Sequence, residues 1–331
     1  MVRSEAARTA RSSLPHVLPY RPSDVPPTVT PRPMTAQLIS GRDIAEEIRA
    51  ELGKEVRALK DGAGVTPGLA TVLVGEDAAS QMYVGMKNKA AAALGIHSRQ
   101  ITLPAETSEA ELLGVVAGLN ADPAIHGILV QLPLPDHIDE GKVIEAIHPS
   151  KDVDGFHPMS VGRLATDSGD YFAPCTPAGV IEMLVRSGHD PAGKHVVVVG
   201  RSNIVGRPLA SLLLRKGPGG DATVTVCHSR TADLGSITRR ADILIVAMGR
   251  PESISADMVR PGSVVIDVGT NRIDDPDSEK GYRICGDVLF DEVSEIAGAI
   301  SPVPGGVGPM TITMLLVNTV KSASLAAAAK D

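Results

Sequence analysis

Tyr83 and Lys87 stand four residues apart in "YVGMK", so on a helix both side chains face the same way. A solvated surface pair is the plain reading of that spacing. A lysine desolvated beside apolar strand ends is instead a proton carrier near neutral pH. Gln131 interrupts "GILVQLPLP" at the carboxyl end of an apolar strand, the edge at which α/β folds bind ligands. An amide placed there must find hydrogen-bond partners or lose solvation free energy. Asp152 and Asp154 lie in the turn-rich "PSKDVDGFHP" and read as metal ligands or as turn formers; with no further ligand nearby, metal is the weaker reading.

A second constellation begins at Gly200. Four consecutive valines, Val196 to Val199, run into Gly200, the polar loop "RSNIV", and a helix opening at Gly206. Such a glycine permits a tight turn, and the backbone N–H groups and helix dipole beyond it favour a pyrophosphate. Only two glycines stand in "GRSNIVG", so the pattern departs from G-x-G-x-x-G and by itself is weak. The end of the next strand is more informative. NAD-preferring enzymes place an acid there, whereas "CHSRT" offers His228, Ser229 and Arg230 and no carboxylate before Asp233. With Arg201 on the phosphate loop, these donors and cations suit a 2′-phosphate, and NADP is the expected cofactor. Y-x-x-x-K also occurs in short-chain dehydrogenases, but there it follows the nucleotide-binding glycines; here it precedes Gly200 by more than 100 residues.

The elements that position these groups are legible from periodicity. Apolar residues at helical spacing from Ile44 to Leu59 precede a buried strand, "PGLATVLV". A helix from about Gln81 to Leu94, a strand Ser98 to Leu103, a helix Glu109 to Asn120, the strand "HGILVQLPLP" and a helix Gly141 to Ala146 follow. Helix and strand alternate, which implies a mainly parallel sheet covered on both faces. After a loop-rich passage from His148 to Pro177, a helix Pro177 to Arg186 leads into the strands "KHVVVVG", "ATVTVCH", "DILIVAMG" and "SVVIDVGT", a second, doubly wound unit. The glycine-rich loop "PVPGGVGP" then precedes an apolar helix from about Met310 to Leu325. The expected fold is therefore α/β: two α/β domains, the second a Rossmann-like doubly wound parallel sheet, with the C-terminal helix returning to the first. Residues 34–174 plus 304–325 form the expected catalytic domain and 175–303 the nucleotide domain.

Composition narrows the function classes. With four Tyr, three Phe, no Trp and a formal charge of −7, the chain lacks the stacking platforms and positive groove of a nucleic-acid binder. The longest apolar runs are core-strand length, so no membrane partner is expected. Cys175, Cys227 and Cys285 are far apart and read as small buried hydrophobes in a reducing compartment. Residues 1–33 carry five Arg, one Glu, one Asp and seven Pro without apolar periodicity. They read as a disordered tail or as an over-extended start, with Met34 opening the periodic sequence, rather than as a targeting helix.

Taken together, "YVGMKNKAAAALGI", "GILVQLPLP", "PSKDVDGFHP", "PCTPAGV", "VVVVGRSNIVGRP", "GDV" at Gly286 to Val288 and "SPVPGGVGPMTITMLLVNT" resemble one family. It is the bifunctional methylenetetrahydrofolate dehydrogenase/methenyltetrahydrofolate cyclohydrolase family, and the resemblance covers about Met34 to Lys321. It implies a cytoplasmic homodimer acting without a metal on tetrahydrofolate one-carbon derivatives, with NADP as cofactor and a supply of one-carbon units to purine biosynthesis. Lys87 is then the lysine that handles protons and positions water, Tyr83 packs on the folate, Gln131 hydrogen-bonds Lys87, and Asp154 holds the pterin N–H groups. Pro304, Gly305 and Gly306, in the loop that runs on to Gly308, border the folate; Gly200, Arg201, Ser202 and Ser229 meet the cofactor. Thr270 stands where many members have Ile, and its main chain meets the nicotinamide end. For the anionic folate tail, Arg42 and Lys89 are both available.

Overall fold

Apolar runs flanked by turn residues become parallel strands buried from both sides, and amphipathic stretches become the helices that cover them. The computed structural model describes residues 36–329 apart from 277, 279 and 280; the reading of residues 1–33 lies outside that range. In chain order the first half holds β1 (Gln37–Leu38), α1 (Gly41–Ala63), β2 (Gly68–Val74), α2 (Ala78–Ala93), β3 (His97–Leu103), α3 (Glu109–Ala121), β4 (Gly127–Val130) and α4 (Glu140–Ala146). Then come α5 (Pro158–Thr166), α6 (Cys175–Arg186), β5 (His195–Val199), α7 (Gly206–Leu214), β6 (Thr223–Cys227), α8 (Leu234–Thr238), β7 (Ile243–Val246) and β8 (Val264–Asp267). A hairpin of β9 (Asn271–Asp274) and β10 (Tyr282–Cys285), then α9 (Phe290–Ser294), β11 (Ala299–Ile300) and α10 (Val307–Ala328), complete the chain.

The small sheet has the order β3-β2-β4, all parallel, with Val72 facing Ile101 on one side and Val130 on the other. The large sheet has the order β1-β11-β8-β7-β5-β6, also parallel. In it the chain leaves β5 for β6 on one side and returns to β7 on the other, which opens a crevice at the carboxyl ends of β5 and β7. β1 belongs to this large sheet: Gln37 and Leu38 pair with Ala299 and Ile300.

Helix α10 packs against α6 and α1. Close approach is built into the sequence at Gly179, where a Cβ would stand 2.8 Å from the Cβ of Met310. By length and composition α10 is apolar enough to cross a membrane, longer than the strand-length apolar runs expected from the sequence, but most of it is buried inside the protein. The strand reading also missed three features. The passage 148–177 contains α5, β9 and β10 form an antiparallel hairpin, and α6 starts at Cys175, two residues before Pro177.

Candidate active site

Helix α2 is capped by Asp77, whose side chain accepts from Ser80 N at 2.8 Å, and is tied to β2 by Thr71 Oγ1 donating to Asn88 Oδ1 at 3.1 Å. That fixes Lys87, only 9% exposed, with its Nζ donating to Gln131 Oε1 at 3.0 Å. Gln131 is itself held: its backbone N donates to Val72 O at 2.8 Å and its Nε2 to Leu132 O at 2.7 Å. Its amide oxygen is thereby turned to the lysine. Tyr83 lies one turn before Lys87 on the same helix face.

The two acids of "DVDG" do different things. Asp152 is 2% exposed and accepts from Phe156 N at 3.1 Å and His157 N at 3.0 Å, so it shapes the turn. Burial pushes its carboxyl up to about 6, against the opposing hydrogen bonds from Ser160, His157 and Phe156. Asp154 faces Lys87 and the Cys175 thiol. Burial raises its carboxyl, while the lysine charge and the thiol hydrogen bond pull it back down. Gly155 follows at φ 77°, where a Cβ would stand 2.6 Å from Phe172 O, so only glycine fits the turn. Asn318 of α10 donates its Nδ2 to Val153 O at 2.8 Å and to Ala173 O at 3.0 Å, clamping the loop on both sides.

A cleft of about 640 Å3 opens beside Tyr83. One wall is α2 with Met82, Tyr83 and Met86; the other is Asp267 to Thr270, with Arg272, Tyr282 and Ile284 of the hairpin; Arg42 and the loop Pro302 to Pro309 close the end. The loop is seated on α1, since Arg42 N donates to Gly305 O at 3.0 Å and a Cβ on Gly41 would stand 1.9 Å from Gly306 O. Arg42 lines the cleft, whereas Lys89 is exposed on α2 and is not among the lining residues.

Gly200, Arg201, Ser202 and Ser229 follow the ends of β5 and β6, on the same carboxyl edge of the large sheet that carries Asp267 at the end of β8. Val199 pairs with Cys227, so Arg201 and Ser229 each lie two residues beyond the paired ends, both exposed. Gly200 has φ 139°, and a Cβ there would stand 2.3 Å from Ala247 O; a Cβ on Gly206 would stand 2.1 Å from Gly200 O. Strand, loop and helix therefore meet backbone to backbone, the cradle a pyrophosphate needs, in which Val205 N donates to Ser202 Oγ at 3.1 Å and Gly200 N to Cys227 O at 2.9 Å. These residues fit NADP.

The structure thus brings Tyr83, Thr270 and Pro304 to Gly306 to one cleft, joins Lys87 to Gln131, and sets Asp154 beside the lysine. Cys175 is the small buried residue the sequence reading expects, 1% exposed, and is in addition a partner of Asp154; that reading passed over Asn318. It also passed over Asp267 and Asp287, 4% and 0% exposed. Polar groups inside the apolar segments "PCTPAGV" and "MLLVNT", and acids at strand ends, are the signals that mark them.

Comparison with known proteins agrees with this geometry. The profile of the tetrahydrofolate dehydrogenase/cyclohydrolase catalytic domain matches residues 39–154, and that of the NAD(P)-binding domain of the same family matches 174–327. The bifunctional protein FolD of Syntrophus aciditrophicus is 59% identical over 294 residues, covering 89% of this chain and 99% of that protein. The crystal structure of the Campylobacter jejuni bifunctional methylenetetrahydrofolate dehydrogenase/cyclohydrolase superposes with a TM-score of 0.82 at 48% identity, over 88% of this chain and 99% of that one. The Trypanosoma brucei N5,N10-methylenetetrahydrofolate dehydrogenase-cyclohydrolase, complexed with NADP cofactor and inhibitor, superposes with a TM-score of 0.82 at 43% identity, over 88% and 98%.

Proposed function

The chain belongs to the tetrahydrofolate dehydrogenase/cyclohydrolase family, and on that premise we propose how its residues divide the work of the two reactions. It is a bifunctional enzyme that oxidises 5,10-methylenetetrahydrofolate with NADP and hydrolyses the resulting 5,10-methenyltetrahydrofolate to 10-formyltetrahydrofolate. The observation that carries the assignment of residues is the Lys87–Gln131 hydrogen bond of 3.0 Å, next to a carboxylate and one turn from a cleft-lining tyrosine.

The pterin enters the cleft between α2 and the loop Pro304 to Gly306, with its ring against Tyr83. Asp154 accepts its N–H groups through charge-assisted hydrogen bonds. When bound, NADP takes up the hydride that leaves the one-carbon bridge. The methenyl product is a cation, and water attacks its bridging carbon; Lys87 holds that water and moves the proton at Nζ as one C–N bond opens and the formyl group forms. Gln131 fixes the lysine's direction. On the cofactor side, Gly200 and Ser202 present the loop that meets the pyrophosphate, Arg201 and Ser229 face the 2′-phosphate, and the main chain at Thr270 meets the nicotinamide end. Arg42, at the end of the cleft, takes the carboxylates of the folate tail.

We place residues 34–174 and 304–325 in the folate-binding domain and 175–303 in the NADP-binding domain, on the packing of α10 against α1; β1, paired into the large sheet, and α6, packed on α10, join the two. We further propose a cytoplasmic homodimer that contributes to purine biosynthesis and has neither a nucleic-acid nor a membrane partner. The test of the function is a spectrophotometric assay with methylenetetrahydrofolate and either NADP or NAD. Appearance of the methenyl chromophore with NADP, followed by enzyme-accelerated decay, is expected; appearance without accelerated decay leaves a dehydrogenase alone and overturns the hydrolytic role of Lys87.

A further inference from the structure

Asp287 is fully buried and belongs neither to the Lys87 cluster nor to the phosphate loop, yet its carboxylate collects four N–H donors. Oδ2 accepts from Met248 N at 2.6 Å and Gly249 N at 2.9 Å; Oδ1 accepts from Arg250 N and from Asn271 Nδ2, both at 2.8 Å. The first three donors follow Ala247, whose carbonyl is the atom that Gly200 packs against. The fourth comes from the residue after Thr270, in the stretch that lines the cleft. One carboxylate therefore ties the floor of the crevice at β5 and β7 to the wall of the cleft.

Asp267 holds this carboxylate's own backbone. It accepts from Asp287 N at 3.0 Å, Gly269 N at 2.9 Å and Val288 N at 2.9 Å. The packing leaves no slack: a Cβ on Gly269 would stand 2.4 Å from Asp287 Cγ, and one on Gly286 would stand 1.8 Å from Asp267 Oδ2. A fully buried carboxylate is costly unless charge-assisted hydrogen bonds saturate it, and here they come from two loops that leave the paired ends of β7 and β8, where Val268 N donates to Val246 O at 2.8 Å.

We propose that Asp287 is a positioning residue for the dehydrogenase reaction, setting the distance between the crevice that receives NADP and the cleft wall at Gly269 and Thr270. The inference rests on the NADP reading above. Both carboxylate oxygens face two donors each, so an asparagine must turn its NH2 against two N–H groups in either orientation and release one loop. Asn271→Ala removes a single donor from a half-buried side chain and is the milder variant.

The experiment measures NADP binding to the full-length protein by isothermal titration calorimetry, alongside cofactor-free hydrolysis of methenyltetrahydrofolate and thermal melting. Asp287→Asn is expected to raise the NADP Kd by about tenfold or more, and Asn271→Ala by about threefold, as fits loss of hydrogen bonds to a charged acceptor. Hydrolysis is expected to change far less than NADP binding in both variants, with the KM for NADP rising and that for methylenetetrahydrofolate holding. If Asp287→Asn does not fold, Asn271→Ala carries the test alone. Wild-type NADP affinity in the folded variants, or an equal fall of binding, hydrolysis and melting temperature, overturns the positioning role. Absence of NADP binding by the unaltered protein overturns the cofactor reading instead.

Discussion

Replacing Lys87 by methionine removes one charge and one donor while nearly conserving volume, so the cavity cost is small. Two consequences follow from the local geometry. Gln131 Oε1, 3.0 Å from the lost Nζ, is left without its donor, which costs about 1–3 kcal/mol when the site is shielded from water. Asp154 loses the positive neighbour that opposes its burial, so its carboxyl rises further and becomes a poorer acceptor for the pterin. Loss of the proton carrier itself is worth about 10²–10⁴-fold in rate. Hydrolysis of methenyltetrahydrofolate, followed by the decay of its absorbance, should therefore fall by about 10²-fold or more. NADP reduction should fall much less, since the hydride step needs no proton from the lysine. Lys87→Arg sharpens the test: it keeps the charge but stays protonated, so it should bind folate and still fail to hydrolyse it. Hydrolysis near the wild-type rate in either folded variant would refute the assigned role, and equal loss of both activities would point to a structural one.

The remaining predictions address the cofactor, the lysine's partner and the pH dependence. Arg201→Ala should lower the kcat/KM ratio of NADP over NAD by about tenfold, the worth of one charge-assisted contact; an unchanged ratio in steady-state kinetics would remove Arg201 from the 2′-phosphate site. Gln131→Ala should slow hydrolysis by about tenfold with little change in the KM for NADP, because the lysine keeps its charge and loses its direction. For Asp152, the folded-state value of about 6 lies above the 3.8 of an unperturbed aspartate, so the folded chain takes up the proton first. Its contribution to stability therefore rises as pH falls from about 6 to about 4, by up to about 3 kcal/mol. Thermal melts of the wild type and Asp152→Asn across that range should diverge in the wild type's favour toward acid pH, and parallel curves would contradict the buried, raised carboxyl.

What the sequence made legible follows from the physics of its elements. Parallel strands buried on both faces appear as unbroken apolar runs, so β2, β5, β7 and β8 stand out. Amphipathic helices appear as apolar residues at helical spacing, as from Ile44 to Leu59 in α1. The β9–β10 hairpin alternates half-buried with exposed residues over only four positions per strand, too short and too polar to register as a sheet. β1 and β11 have two residues each, β11 held by its pairing with β8 and β1 by its pairing with β11. The site divides in the same way. Tyr83 and Lys87 are neighbours by helix geometry and Asp154 by motif, whereas Asn318 reaches Val153 across 165 residues of chain. Asp287 looks like a turn former until its four donors, 16 to 39 residues away, are seen converging on it.

The most direct test of the central claim is a crystal structure of the protein with NADP and a non-reactive folate analogue. The account predicts the pterin against the ring of Tyr83, its N–H groups within about 3 Å of the Asp154 carboxylate, and the one-carbon position facing Lys87 Nζ. The nicotinamide should reach the same carbon from the Thr270 side. A pterin bound away from Asp154, or a nicotinamide that cannot meet the one-carbon bridge while the lysine does, would contradict it.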